Sequence, residues 1–211
     1  MVSGEFARHW AREIPTREAA LYAVANHDVG WRELDETARW NEETGRPLSF
    51  LDYPVGPKLR AYSNGLDYIQ AHSPYAACLC SMHYGSFVRN ARREPEVSFR
   101  EAEEERQRGI EASLSEEEIS GLEYNFRLLQ LCDDLSLFVC LNEPGRNDYS
   151  HYRAGFGFMG TRLEPVWEAG RTLRLDPNPF SEDFGIEVPY RVVDKDRRPL
   201  ESGILELRVT C

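Results

Sequence analysis

The chain of 211 residues is 41% hydrophobic, 11% aromatic and 29% charged, with 25 Lys+Arg against 36 Asp+Glu and a net charge of -11. That much apolar and aromatic material excludes a disordered chain, and a chain of this length folds around its own core without disulfides or a structural metal. The acidic balance repels phosphates at long range and argues against a nucleic-acid polymer as partner, but not against a small phosphorylated molecule held locally by a cation.

Phe6, Trp10 and Ile14 recur at helical spacing and predict a helix over 3–13, stopped by Pro15. A second helix runs from Arg17 to about Asn26 and ends in Asn26-His27-Asp28-Val29-Gly30-Trp31, where Gly30 permits a turn. Residues 35–57 hold Gly45, Pro47, Pro54, Gly56 and Pro57 and read as a long irregular connection with short helical pieces, a length associated with lids and functional loops. Helices follow over about 58–71 and 74–89, the latter opened by Pro74 at its first position. The charged stretch 101–108 reads as a solvated helix. Ser115 and Glu118 form a capping box that starts the longest helix, 116–141, which ends before Pro144-Gly145. Beyond Gly145, glycines and prolines become frequent, and 171–175, 186–193 and 203–210 read as strands of a small antiparallel sheet. The expected fold is mainly α: a helical domain over 1–145, with a β-rich C-terminal element over 146–211 packed on it as an appendage.

No apolar run approaches the ~20 residues that cross a bilayer, and residues 1–10 lack the apolar centre of a secretory signal. Cys78, Cys80, Cys132, Cys140 and Cys211 are an odd set without framework spacing. They read as reduced thiols, so a cytoplasmic protein without a membrane partner is expected.

His27-Asp28 places two ligand-type side chains at the end of an apolar helix. Adjacent helical positions diverge by ~100°, so both meet one ion only near a helix end. On the longest helix, Ile119, Leu122, Phe126 and Leu129 mark an apolar face that Asp133 continues. A carboxylate buried there costs ~3 kcal/mol or more unless a cation or several donors offset it. Asp134 is an alternative, because that helix is apolar nearly all round. His83 lies four residues past Leu79 on another apolar helix and reads either as a hydrogen-bonded core residue or as a ligand. Arg89, Arg92 and Arg93 follow, as surface charges or as anchors for an anion. Trp31, Trp40, Phe50 and Tyr53 flank the irregular connection, either as ordinary packing or as the wall of a pocket.

Three segments thus offer His, Asp, His and Asp, the ingredients of a metal site inside a helical bundle. With His27-Asp28-Val29-Gly30 followed by Cys132-Asp133-Asp134-Leu135-Ser136, the chain resembles the HD superfamily of metal-dependent phosphohydrolases over roughly 3–141. That resemblance selects Asp133 over Asp134 and makes His83 the additional histidine some members place between the motifs. A closer likeness, along the whole chain, is to a bacterial family of HD-like proteins of unknown function. It is carried by Ser3-Gly4-Glu5-Phe6-Ala7, His27-Asp28-Val29-Gly30-Trp31, Pro47-Leu48-Ser49-Phe50-Leu51-Asp52, His83-Tyr84-Gly85 and Pro177-Asn178-Pro179-Phe180. Such relatives carry a further His a few residues before Ser-Gly. The given sequence starts at Met1, which leaves a longer chain or a site one ligand short, with His9 as a substitute. Many catalytic members follow the Gly with Lys or Arg, where this chain has Trp31. Phosphate would then fall to Arg32, or to Arg89, Arg92 and Arg93.

The resemblance implies an HD-like bundle in which His27, Asp28, Asp133 and His83 bind a divalent ion (Mn, Fe, Zn or Mg). His83 and Asp28 would act in acid–base chemistry, and Trp31, Arg89, Arg92 and Arg93 would contact a small phosphorylated substrate. The alternative is a ligand-binding or sensor domain that keeps the scaffold without the activity.

Overall fold

Local chemistry sets the starts of two of the helices in the computed structural model, which describes residues 1–36, 39–168, 170–194, 196 and 198–211. Helices α1 (Val2–Arg8) and α2 (Arg17–Asn26) lead through a 3-10 turn, Val29–Trp31, into the short α3 (Arg32–Glu36). After a two-stranded ribbon, β1 (Trp40–Asn41) with β2 (Arg46–Pro47), come α4 (Val55–His72), α5 (Pro74–Phe87), α6 (Glu96–Glu111) and α7 (Glu116–Leu141). The Ser73 hydroxyl accepts from Ala76 N (3.2 Å) ahead of Pro74, which defines the start of α5. Ser115 Oγ accepts from Glu118 N (3.2 Å) while the Glu118 carboxylate accepts from Ser115 N (2.8 Å), so the capping box of α7 is complete. Helix α5 is buried on most of its surface, Cys78 and Cys80 included. It is the central helix, touching α2, α4, α6 and α7.

The first helix stops at Arg8, short of the expected 13. Trp10 leaves it to form a bridge with Phe180 and donates through Nε1 to the Tyr124 hydroxyl (2.9 Å), so tertiary partners override the helical spacing there. The expected irregular connection over 35–57 holds part of α3 and the β1–β2 ribbon, with residues 37 and 38 outside those described. Gly30 is not needed for a turn. A Cβ on it would lie 2.1 Å from the Ala61 carbonyl oxygen, and one on Gly65 would lie 2.9 Å from Gly30 N. The two glycines let the turn after His27-Asp28 seat directly on α4.

The second half overturns the mainly-α expectation. Strands β3 (Phe156–Phe158), β4 (Thr161–Trp167), β5 (Thr172–Asp176), β6 (Phe184–Val193) and β7 (Pro199–Thr210) form one curled five-stranded sheet, ordered β3-β4-β5-β7-β6. With 50% helix and 21% strand the fold is α/β. The sheet is mixed rather than antiparallel: β5 and β7 run parallel, with Thr172 opposite Arg208, while the other pairs are antiparallel. Two strands were missing from the expected set. Phe156-Gly157-Phe158 is too short to show alternation, and Pro165 interrupts β4. Their hairpin turns through Met159 (φ 47) and Gly160 (φ 80), two successive positive-φ residues that match the strand twist.

The sheet is no appendage. Phe138 of α7 meets Phe156 edge-on (5.7 Å) and stacks on Trp167 (5.8 Å), while Phe6 of α1 packs against Phe180 and Phe184. One continuous apolar cluster runs from Phe6 to Val209. Only from Arg208 on does β7 gain β5 as a second neighbour, so the distal part of the β6–β7 hairpin projects as a two-stranded arm. Among the described residues no helix is long and apolar enough to cross a membrane.

Candidate metal centre

Each inner-wall residue is placed by a different helix. His27 caps the C-terminus of α2, His83 comes from the middle of α5, and Asp133 from α7. Both imidazoles are buried, and one ligand atom from each of the three residues lies within 4.8 Å of the others. His27 Nδ1 donates to the Val24 carbonyl (2.9 Å), which fixes the tautomer and leaves Nε2 facing inward. That Nε2 lies 3.3 Å from Asp133 Oδ1 and 3.2 Å from Asp28 Oδ2. His83 Nε2 lies 3.4 Å from the other oxygen of Asp133. The Tyr84 hydroxyl donates to the His27 carbonyl and holds the end of α2 against α5.

The electrostatics favour positive charge among these side chains. Burial alone would lower the pKa of His27, but the charge of Asp28 and the hydrogen bonds to Asp133 and Asp28 override it and hold that pKa well above the ordinary value. Burial likewise raises Asp133, and hydrogen bonds to His27 and His83 overcome it, leaving its carboxyl well below the usual range. Without a metal the cluster therefore settles as an imidazolium between two carboxylates. A divalent ion would replace that proton with the same sign of charge. Two imidazoles and a carboxylate, one imidazole anchored by a backbone carbonyl, are a donor set suited to Zn, Fe or Mn. The Nδ1 atom of His83 is buried without a hydrogen-bond partner, so this ring is not held as an ordinary core histidine with both nitrogens satisfied.

His83, Asp133 and the partly exposed Asp28 open onto a cavity of about 1020 Å³. Its wall includes Trp31, Phe50 and Tyr53, but not Trp40. Trp31 meets Tyr53 and Tyr62 edge-on at 5.5 and 5.8 Å. A second cleft of about 1240 Å³ opens on the other side of Asp28, between the start of α1 and the β5-β7-β6 region, and is lined by His27, Arg171 and Arg208.

Four of the expected site residues, His27, Asp28, His83 and Asp133, are thus brought together, and Trp31 stands beside them. Arg89, Arg92 and Arg93 are not. They are exposed beyond the end of α5 and line neither cavity, because Arg100 donates to the carbonyls of Arg89 and Ala91 and pins that turn to α6. His9 is no substitute ligand: it stacks on Phe184 (4.2 Å) and pairs with Glu182 (3.3 Å). The cations that do line the cavity in front of His83 and Asp133 are Arg32, Arg39 and Arg191, of which only Arg32 had a sequence signal, its place beside the His-Asp turn. Asp134 and His151 also line it. Burial and the charge of Asp133 push Asp134 up to about 6. The sequence signal for Asp134 was the nearly all-round apolar character of α7; His151, in a 3-10 turn after Pro-Gly, had none.

No curated protein and no solved structure matches the chain. A family profile does, over residues 1–195, and its description is "Protein of unknown function (DUF3891)". Since that match spans nearly the whole sequence, from α1 to the far end of β6, the chain belongs to the DUF3891 family of proteins of unknown function.

Proposed function

We propose that the protein is an HD-like, metal-dependent hydrolase of a small phosphorylated substrate. The observation that carries the reading is the His27 Nε2 atom, aimed inward by its Nδ1 tether and set between Asp28 and Asp133 with His83 alongside, next to a cavity lined by Asp28, His83 and Asp133 that is large enough for a small molecule. His27, His83 and Asp133 would hold the ion, with Asp28 at its open side. When bound, such an ion supplies Lewis acidity to a phosphoryl oxygen and acidifies water toward neutrality.

The remaining work belongs to the chain. Asp28 Oδ2 accepts the proton of the attacking water, and the same proton returns to the leaving oxygen as the phosphoester P–O bond breaks. Arg32, Arg39 and Arg191 offset the charge of the phosphate. Trp31, Tyr53 and Tyr62 keep water from one side of the pocket. The closed core behind His27 and His83 keeps their rings from turning away.

Metal analysis after growth with Mn, Fe or Zn, paired with a phosphatase screen, tests this directly. About one ion per chain is expected. Asp133→Ala should lose the ion and at least ~100-fold in rate. Equal rates for Asp133→Ala and wild type would end the hydrolase reading. A bound ion without phosphatase activity would favour the ligand-binding or sensor alternative.

A further inference from the structure

We propose that the cavity in front of the metal cluster selects a flat-ringed organic anion, its ring held by Trp31, Phe50, Phe87 and Tyr149 and its charged group by Arg32, Arg39 and Arg191. This deepens the hydrolase reading and rests on it for the fate of the bound molecule, though not for the binding itself.

The first support is apolar surface in the wrong place for stability. Phe50, Phe87 and Tyr149 are 37%, 56% and 42% exposed, and all three line this one cavity. Rings left in water contribute little to folding, and rings gathered at the mouth of a concave site are what a ligand with an apolar face requires. The wall is continuous with the metal cluster, since Phe87 meets the His83 ring edge-on at 4.7 Å. On the opposite flank Trp31 is fixed edge-on to Tyr53 and Tyr62, and Tyr62 in turn stacks on Tyr84 (3.9 Å). A ring platform held this way loses little freedom when it stacks on a ligand.

The second support is cationic. Arg32, Arg39 and Arg191 are exposed, and among the described residues none of them holds an ion pair, although the chain carries an excess of carboxylates. Arg32 has Asp35 and Glu36 at the i+3 and i+4 positions of α3, where helix pairs ordinarily form, and pairs with neither. Three arginines from three separate elements line this one cavity: the start of α3, the approach to β1 and the arm of β6. Planar forked donors of this kind suit a phosphate or carboxylate. Neither set of residues explains the other, and a molecule that carries both a ring and an anionic group uses both.

Calorimetric titration of chelated and metal-loaded protein with 1-naphthyl phosphate, butyl phosphate and 1-naphthol separates the two requirements. Naphthyl phosphate should bind at least about tenfold more tightly than either comparator. Phe87→Ala should weaken naphthyl phosphate severalfold and leave butyl phosphate unchanged. Arg191→Gln should weaken both phosphates and spare naphthol. Both side chains are exposed, so thermal melting should show both variants folded. Butyl phosphate binding as tightly as naphthyl phosphate, or a Phe87→Ala loss shared equally by the two phosphates, would overturn the inference. Chelated protein that discriminates for the ring while never taking up metal would sink the hydrolase reading and leave this one standing. An active metal enzyme indifferent to the ring would do the reverse.

Discussion

The inner and outer walls of the cavity are built by different means. His27, His83 and Asp133 sit on long helices whose other faces are core, so their positions are fixed by Leu79, Cys80, Leu129 and Cys132 around them. Arg39, Phe50, Tyr149 and Arg191 come from a connection, a 3-10 turn and a projecting arm, and are exposed. The inner wall is held where its atoms must be within a few tenths of an ångström. The outer wall is where side chains can change without cost to the fold, as recognition surfaces generally are.

That contrast breaks most readily at Phe138, which belongs to neither wall but holds the sheet that carries Arg191 against the helices. Phe138→Ala should cost about 4 kcal/mol of stability in a single transition seen alike by helix and aromatic signals. Two separate transitions would restore the picture of an appended β element. Gly30→Ala comes next, driving a methyl group into the Ala61 carbonyl. About 2 kcal/mol should be lost, together with most metal affinity, because the His27-Asp28 turn must lift off α4. Retained metal binding at wild-type strength would show that the turn is not what positions His27.

Glu103, behind the inner wall on α6, gives a smaller, pH-dependent effect. It is buried and accepts from Arg106 Nε (3.0 Å), yet desolvation outweighs that pair and Ser81, and its pKa is raised. A raised carboxyl pKa favours the folded state fully below the unfolded value near 4.5, and that contribution is lost as the pH rises through the folded value. Glu103→Gln lacks this slope, so its melting temperature relative to wild type should be lowest near pH 4 and improve toward pH 7. A constant difference between those pH values would refute the assignment. The smallest effect is expected on the outer wall. Phe50→Ala should change stability by less than about 0.5 kcal/mol while weakening any ring-bearing ligand.

Legibility followed the same divide. The capping box of α7 and Pro74 at the head of α5 are signals read within a few residues, and both helices appear where those signals put them. Asp133 was visible because a carboxylate on an apolar helix face needs a reason, and the order of His-Asp, His and Asp supplied one. The sheet was misjudged because pairing is non-local. Nothing near Thr172 announces that it will lie parallel to Arg208, and β3 is only three residues long. Arg191 was invisible for the same reason, since only the fold brings β6 to the pocket that His83 and Asp133 also line. Arg89, Arg92 and Arg93 misled because they are near His83 in sequence, while a helix end and an α6 contact turn them elsewhere.

The meeting of Gly30 with Gly65 has an evolutionary consequence. A side chain on Gly30 would enter the space of the Ala61 carbonyl and one on Gly65 the space of the Gly30 backbone, so neither can be enlarged without prising α4 from the His-Asp turn. Mutational drift in this lineage is therefore expected to leave two sites thirty-five places apart standing still, each for its own backbone contact.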